Sequence, residues 1–184
     1  MGVRAGCWLL ALTALLSACS SEEPPGALPP VPSVEESSSP RSNSPAALPS
    51  AAALETSQGA AAFATHFLTV VGDAYERADP DLVRRLSDPG CEGCNVLIAG
   101  IQSLRADGQV RVGGGYEVVS AVTPALTSKD TVVDVVYRRR AGQVVTADGG
   151  IVATAPAVRE TEAQVRVLWE GQGWRVLGYR TFAL

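Results

Sequence analysis

The chain contains a single histidine and four cysteines, and aromatic residues make up only 5% of it. Each shortage closes off some chemistry. A structural zinc site takes four Cys or His ligands. One closely spaced cysteine pair and one His cannot supply that set, so no metal is expected, and no cofactor. No nucleophile, base and orienting group stand out as a catalytic set. With 19 acidic residues against 15 basic ones, the chain also lacks the positive surface that a phosphate backbone demands, which excludes nucleic acid as a partner. Gly113-Gly114-Gly115 has no helix after it, so it is a flexible joint and not a phosphate loop. The apolar run from Cys7 to Leu16 falls short of the roughly 20 residues that a spanning helix needs.

What the N-terminus does contain is an address. Met1-Gly2-Val3-Arg4 is a short basic start, and the apolar run follows it directly, the shape of a secretory signal. The run ends in Leu16-Ser17-Ala18-Cys19, which resembles the bacterial lipobox. That resemblance implies a signal peptide of residues 1–18, cleavage after Ala18 and diacylglycerol on the Cys19 sulfur. The mature chain would be exported and lipid-anchored to the outer face of the cell membrane. It would carry 14 basic and 19 acidic residues, net −5, so its membrane link would be the acyl chains and not surface charge.

Residues 19–57 hold that cysteine and a run of Ser, Pro, Ala and Glu with few bulky side chains. Such a segment cannot bury enough apolar surface to offset the entropy of ordering. It reads as a disordered tether, reaching about 35 Å as a flexible coil.

Residues 58–184 suffice for one domain with one core. Thr56 or Ser57 can cap a helix reaching about Ala78, with Phe63, Phe67, Leu68, Val71 and Ala74 on one face. His66 falls on the opposite face and reads as a solvated histidine. Asp79-Pro80-Asp81 starts a short second helix ending near Leu86, and Asn95 to Asp107 make a third, with Gly108 as its stop. From Tyr116 the apolar period changes to two. Strands are expected over 116–123, 131–139, 159–169 and 174–182, the last two as a hairpin. Residues 141–157, rich in Gly and Ala, form either a protruding ribbon or a mobile loop. Arg138-Arg139-Arg140 reads as a solvated strand edge. Helices followed by a run of strands make an α+β fold. Three helices are expected on one face of a curved antiparallel sheet of four to five strands, a cone-like shape.

The second and third helices meet at Asp88-Pro89-Gly90-Cys91-Glu92-Gly93-Cys94-Asn95. In an exported chain Cys91 and Cys94 read as a structural disulfide. So small a loop stabilises by about 2 kcal/mol. Thiol redox chemistry at the same pair is the alternative, since a helix N-terminus favours the thiolate.

Three helices, a strand meander and the closing Gly173-Trp174-Arg175-Val176 resemble the nuclear-transport-factor-2-like (cystatin-like) cone fold. More narrowly, the chain resembles a family of actinobacterial lipoproteins, domain of unknown function 6318. The residues are Gly59-Ala60-Ala61-Ala62-Phe63, Leu86 through Cys94, Ile101, Gly108 and Gly113-Gly114. The likeness runs from about residue 57 to the end, and the cysteine block is its specific part. It implies location and fold and supplies no catalytic residue.

The expected role is therefore a non-catalytic binding or interaction module displayed at the cell surface. Tyr75, Tyr116, Tyr137, Trp169 and Trp174 are the candidates for lining a pocket in the cone, and the sheet face is the candidate surface for a protein partner or a second copy. An enzyme using the cone pocket is the other alternative. Relatives of the cone fold place an Asp or His inside as general base. Here Asp134 alternates with Val133 and Val135 and is expected to face away, like His66.

Overall fold

Thr56 opens the first helix as expected: its Oγ1 accepts the Gly59 N–H at 3.0 Å. Helix α1 (Ser57–Arg77) then runs until Ala78 turns left-handed, at φ 49°. Its apolar positions fall three and four apart, and Phe63, Phe67, Leu68, Val71 and Ala74 are buried. The Asp79 carboxylate accepts the Asp81 N–H at 3.0 Å and starts α2 (Asp81–Leu86). Helix α3 (Glu92–Ala106) begins three residues earlier than its sequence pattern predicts, because Cys91 is its cap: the Cys91 Sγ accepts the Cys94 N–H at 3.2 Å. The computed structural model describes residues 46–126 and 128–183.

Seven strands follow among the described residues, where one sheet of four to five was expected. They are β1 (Gln109–Gly113), β2 (Tyr116–Val122), β3 (Asp130–Arg139), β4 (Gly142–Thr146), β5 (Ile151–Ala155), β6 (Val158–Trp169) and β7 (Trp174–Ala183). They form two antiparallel sheets, one in the order β2-β3-β6-β7 and one in the order β1-β4-β5. The four longer strands are the expected meander with its closing hairpin. The ambiguous 141–157 segment is a ribbon, the β4–β5 hairpin, paired with the unforeseen β1.

Period-two alternation places Val133, Val135 and Tyr137 of β3 with Ala163, Val165, Val167 and Trp169 of β6 on one face. The three helices pack there, and these side chains join Phe63, Phe67, Leu68 and Val71 in one core. This is the α+β architecture read from the sequence. Cys91 and Cys94 are bonded, with sulfurs 2.08 Å apart, and both are fully buried. The turn they pin is tied to the β7 edge, where the Val176 carbonyl accepts the Asp88 N–H at 2.8 Å. At Gly93 the helix presses on β7 so closely that a Cβ would lie 1.8 Å from the Tyr179 carbonyl oxygen.

The tether boundary at residue 57 needs correction. Residues 46–56 pack along α1, with one 3-10 turn at Ser50–Ala53 and a buried Ala52. The Ala46 N–H donates to Asp73 at 3.1 Å, and the Leu54 carbonyl accepts the Trp174 Nε1–H at 3.0 Å. His66 is corrected with it: it is 7% exposed, not solvated. Gly59, His66 and Asp73 are seven residues apart in turn and so share one stripe of α1. The segment touches both ends of that stripe, at Gly59 through Leu54 and Ala51 and at Asp73 through Ala46. A sequence pattern of Ala, Pro and Ser gave no hint that it would cover His66. Cys19 and the rest of 19–45 lie outside the described residues.

Candidate functional site

The five aromatic residues expected to line one pocket form two groups at opposite ends of the sheet. Tyr137 pairs with Thr161 and Trp174 with Trp169, eight residues further along β6, which is roughly 25 Å of strand. Trp169 and Trp174 meet edge to face at 5.2 Å, and Trp174 holds Leu54. They clasp the N-terminal segment.

At the other end Tyr116 meets Tyr137 edge to face at 5.2 Å. Tyr75 of α1 packs beside them, and glycines make the room. A Cβ at Gly100 would lie 2.9 Å from the Tyr75 hydroxyl, and one at Gly72 would lie 3.6 Å from the Tyr116 ring. The fourth tyrosine of the chain, Tyr179, joins this group and also packs on Phe67 at 5.8 Å. Tyr137 is buried, and Tyr75, Tyr116 and Tyr179 are half-buried against the core at the place where these aromatics were candidates for lining a pocket.

Tyr179 was missed for a definite reason. Counted by twos from Trp174 and Val176, it belongs on the outer face. A bulge shifts the register: Val176 pairs with Val167, but Tyr179 pairs with Val165, so both point inward. Nothing in the local sequence marks that extra residue. Arg139 was misread differently. Arg138 and Arg140 are exposed and pair with Glu160 at 3.0 Å and Glu117 at 3.8 Å. Arg139 shares the parity of Tyr137, faces Tyr116 across the ladder, and buries its Nε without a hydrogen-bond partner. The alternation alone could have shown this.

Burial pushes the Tyr75 and Tyr116 hydroxyls above their ordinary pKa, while Arg111 and Arg139 pull both back. The Arg111 guanidinium lies over the Tyr75 ring, 3.9 Å from its centroid. Tyr179 is pushed up furthest, by burial first and then by the Tyr137 phenol beside it, with which it shares a hydrogen bond. At neutral pH these phenols are protonated. They can donate hydrogen bonds to a polar group but cannot serve as bases.

The acid–base candidates lie elsewhere. Asp134 is on the outer face, as expected, and accepts from Gln164 at 2.9 Å; Gln164 in turn accepts from Arg180. His66 is held below its ordinary pKa by burial, with Asp73 opposing. The described residues contain no cluster of three or more His, Cys, Asp or Glu suited to a metal. A groove of about 400 Å³ runs between the start of α3 and β7, lined by Gly90, Gly93, Val132, Arg166 and Arg180 among others. Its arginines are engaged, Arg166 by Asp130 and Arg180 by Gln164. The outer sheet face thus mixes these polar pairs with the exposed Val122, Val132 and Phe182.

Among solved structures the chain is similar to the intermembrane-space region of the chloroplast protein ARC6. The TM-score is 0.52 at 12% identity, covering 70% of this chain and 97% of that one. It is also similar to an uncharacterised protein with a cystatin-like fold from Caulobacter vibrioides, with TM-score 0.43, 12% identity, and 66% and 87% of the two chains covered. A nuclear transport factor 2-like superfamily protein from Salmonella enterica matches with TM-score 0.46 and 13% identity, over 69% and 89% of the two chains. At such identities the likeness concerns the fold alone. No protein of curated function matches by sequence. The model of a family of unknown function, DUF6318, matches residues 36–180, and the chain belongs to that family.

Proposed function

We propose that the protein is an exported, lipid-anchored binding module that works through its surface and catalyses nothing. One observation carries this: the titratable side chains clustered at one end of the cone are tyrosines, while the acid–base candidates Asp134, on the outer sheet face, and His66, on the α1 stripe beside the N-terminal segment, are not among them. A base acting in the cone would need a carboxylate or imidazole beside the substrate. Protonated phenols in its place favour a structural interior. The burial of both cysteines favours a structural disulfide over the redox alternative, and a disulfide suits an oxidising, exported location. The anchor rests on Leu16-Ser17-Ala18-Cys19. The surface best suited to a protein partner is the outer face of the four-stranded sheet, where Val122, Val132 and Phe182 lie among polar pairs. Protein interfaces have a comparable mix of apolar centre and polar surround.

The test expresses the full chain in a bacterial host that lacks its own copy. Wild type should fractionate with the membrane, with an acylated N-terminal Cys19 by mass spectrometry. Cys19→Ser should lose both and fail to restore the phenotype of a deletion strain, while His66→Gln, folded by circular dichroism, should restore it fully. An unmodified Cys19 would refute the anchor, and a folded His66→Gln chain that cannot complement would refute the non-catalytic reading.

A further inference from the structure

Arg138, Arg139 and Arg140 are consecutive in the chain but meet different partners. Arg138 holds Glu160 and Arg140 holds Glu117, both at the surface. Arg139 turns inward with Tyr137, and no carboxylate among the described residues pairs with it. Its Nε is buried and has no hydrogen-bond partner. A guanidinium is always charged, and leaving a buried N–H of a charged group unmatched costs more than leaving a neutral one. Such groups are few in native proteins, and a bound ion is among the things that account for them.

Arg111 reaches the same place from β1. Its guanidinium lies over the Tyr75 ring, and it too has no carboxylate partner among the described residues. The glycine joint between β1 and β2 makes this possible. Gly113 and Gly114 are both left-handed, at φ 72° and 74°. A Cβ at Gly114 would lie 3.0 Å from the Arg111 Cδ, so the joint packs on the arginine stem. The chain then delivers Tyr116 opposite Arg139. The charges of Arg111 and Arg139 both reach the Tyr75 and Tyr116 hydroxyls, and no carboxylate is among the groups that shift the ionisation of either phenol. Both arginines are half-buried, at the rim of the tyrosine cluster. At the same rim a Cβ on Gly115 would meet nothing within 4 Å.

These donors select their ligand. The Nε–H and a neighbouring Nη–H of arginine form a planar fork that matches the two oxygens of a carboxylate. Protonated phenols can add hydrogen bonds to the same oxygens. The surrounding rings of Tyr75, Tyr116 and Tyr137 offer apolar surface. Phosphate carries more charge, and stripping its water beside these rings costs more. We propose that Arg111 and Arg139, with the Tyr75 and Tyr116 hydroxyls, bind the carboxylate of a small monocarboxylic acid whose apolar part lies against the tyrosine rings. The site binds and does not react, since it holds no base. It is separate from the outer face of the four-stranded sheet and does not depend on the lipid anchor.

The test titrates the full chain with sodium benzoate and follows the arginine Nε–H resonances by NMR. Benzoate should move the Arg139 signal along a saturable curve. Inorganic phosphate and uncharged benzyl alcohol should leave it in place. Arg139→Met should weaken benzoate at least about tenfold by calorimetry. It should not lower the melting temperature of the ligand-free chain, because the arginine has no partner to lose. Arg111→Gln should weaken benzoate as well, so the result does not hang on one variant. Arg138→Gln, which removes only the surface pair with Glu160, should bind like wild type. The absence of a saturable benzoate shift, phosphate bound as tightly as benzoate, or an affinity indifferent to both Arg139→Met and Arg111→Gln would overturn the proposal. A lowered melting temperature in ligand-free Arg139→Met would make that arginine structural and overturn it too.

Discussion

The four-stranded and three-stranded sheets share a chain, a handedness and a taste for valine, yet they are covered differently. In the first, Val133, Val135, Val165 and Val167 are wholly buried under three helices. In the second, Ile151 and Val152 of β5 stand open to solvent. A buried face fixes register strongly, since a one-residue slip would turn every apolar side chain outward. The ribbon has no such penalty along β5 and takes its register from glycine turns and from β4. Stability should therefore be concentrated in the first sheet.

The largest test of that contrast is Phe67→Ala. Removing a ring that packs on Tyr179 in the closed core should destabilise by about 3–5 kcal/mol. Val152→Ala on the ribbon should stay within about 0.5 kcal/mol in the same denaturant titration. Comparable losses would erase the distinction. Next, replacing Cys91 and Cys94 together by Ser should cost about 2 kcal/mol. Hydrogen exchange should rise at the α2–α3 turn and along β7, where Asp88 is tied to Val176, and not in β4–β5. Trp174→Phe keeps a ring against Trp169 but removes the donor to Leu54. It should cost about 1 kcal/mol and release the amides of residues 46–54 from protection.

The smallest effect is a pH dependence. His66 has a folded-state pKa below its ordinary value near 6.5 because it is buried. Between the two values the unfolded chain binds more protons, so this contribution is complete above about 6.5 and is lost as pH falls through the folded value. His66→Gln should flatten stability against pH in that window. An unaltered slope would mean that His66 is not covered as described.

The helices were legible because their caps are local: Thr56 before the first, Asp79-Pro80-Asp81 before the second, Gly108 after the third. The meander was legible because Val133, Val135 and Tyr137 alternate cleanly. What escaped depends on distant partners. Strand β1 is short, ends in Gly113, and becomes a strand only through β4. His66 looked solvated because its cover is a segment whose composition suggests no structure. Tyr179 looked outward because a bulge is a property of pairing, not of one strand's letters. Three of the five aromatic candidates belong to one cluster and two to another, a division that depends on where Tyr137, Trp169 and Trp174 fall along β3, β6 and β7 and on what α1 and β2 bring beside them.

The account rests on a cone packed at one end by its own phenols, and those phenols can be watched directly. All four tyrosines of the chain lie in the cluster, so phenolate absorbance on raising the pH reports on it alone. Tyr75, Tyr116 and Tyr179 should ionise above the ordinary value near 10, Tyr179 last of all and only as circular dichroism shows the fold being lost. Reversible ionisation of those phenols near pH 10, with the dichroism still native, would mean that water reaches the cone and that its interior is an open pocket.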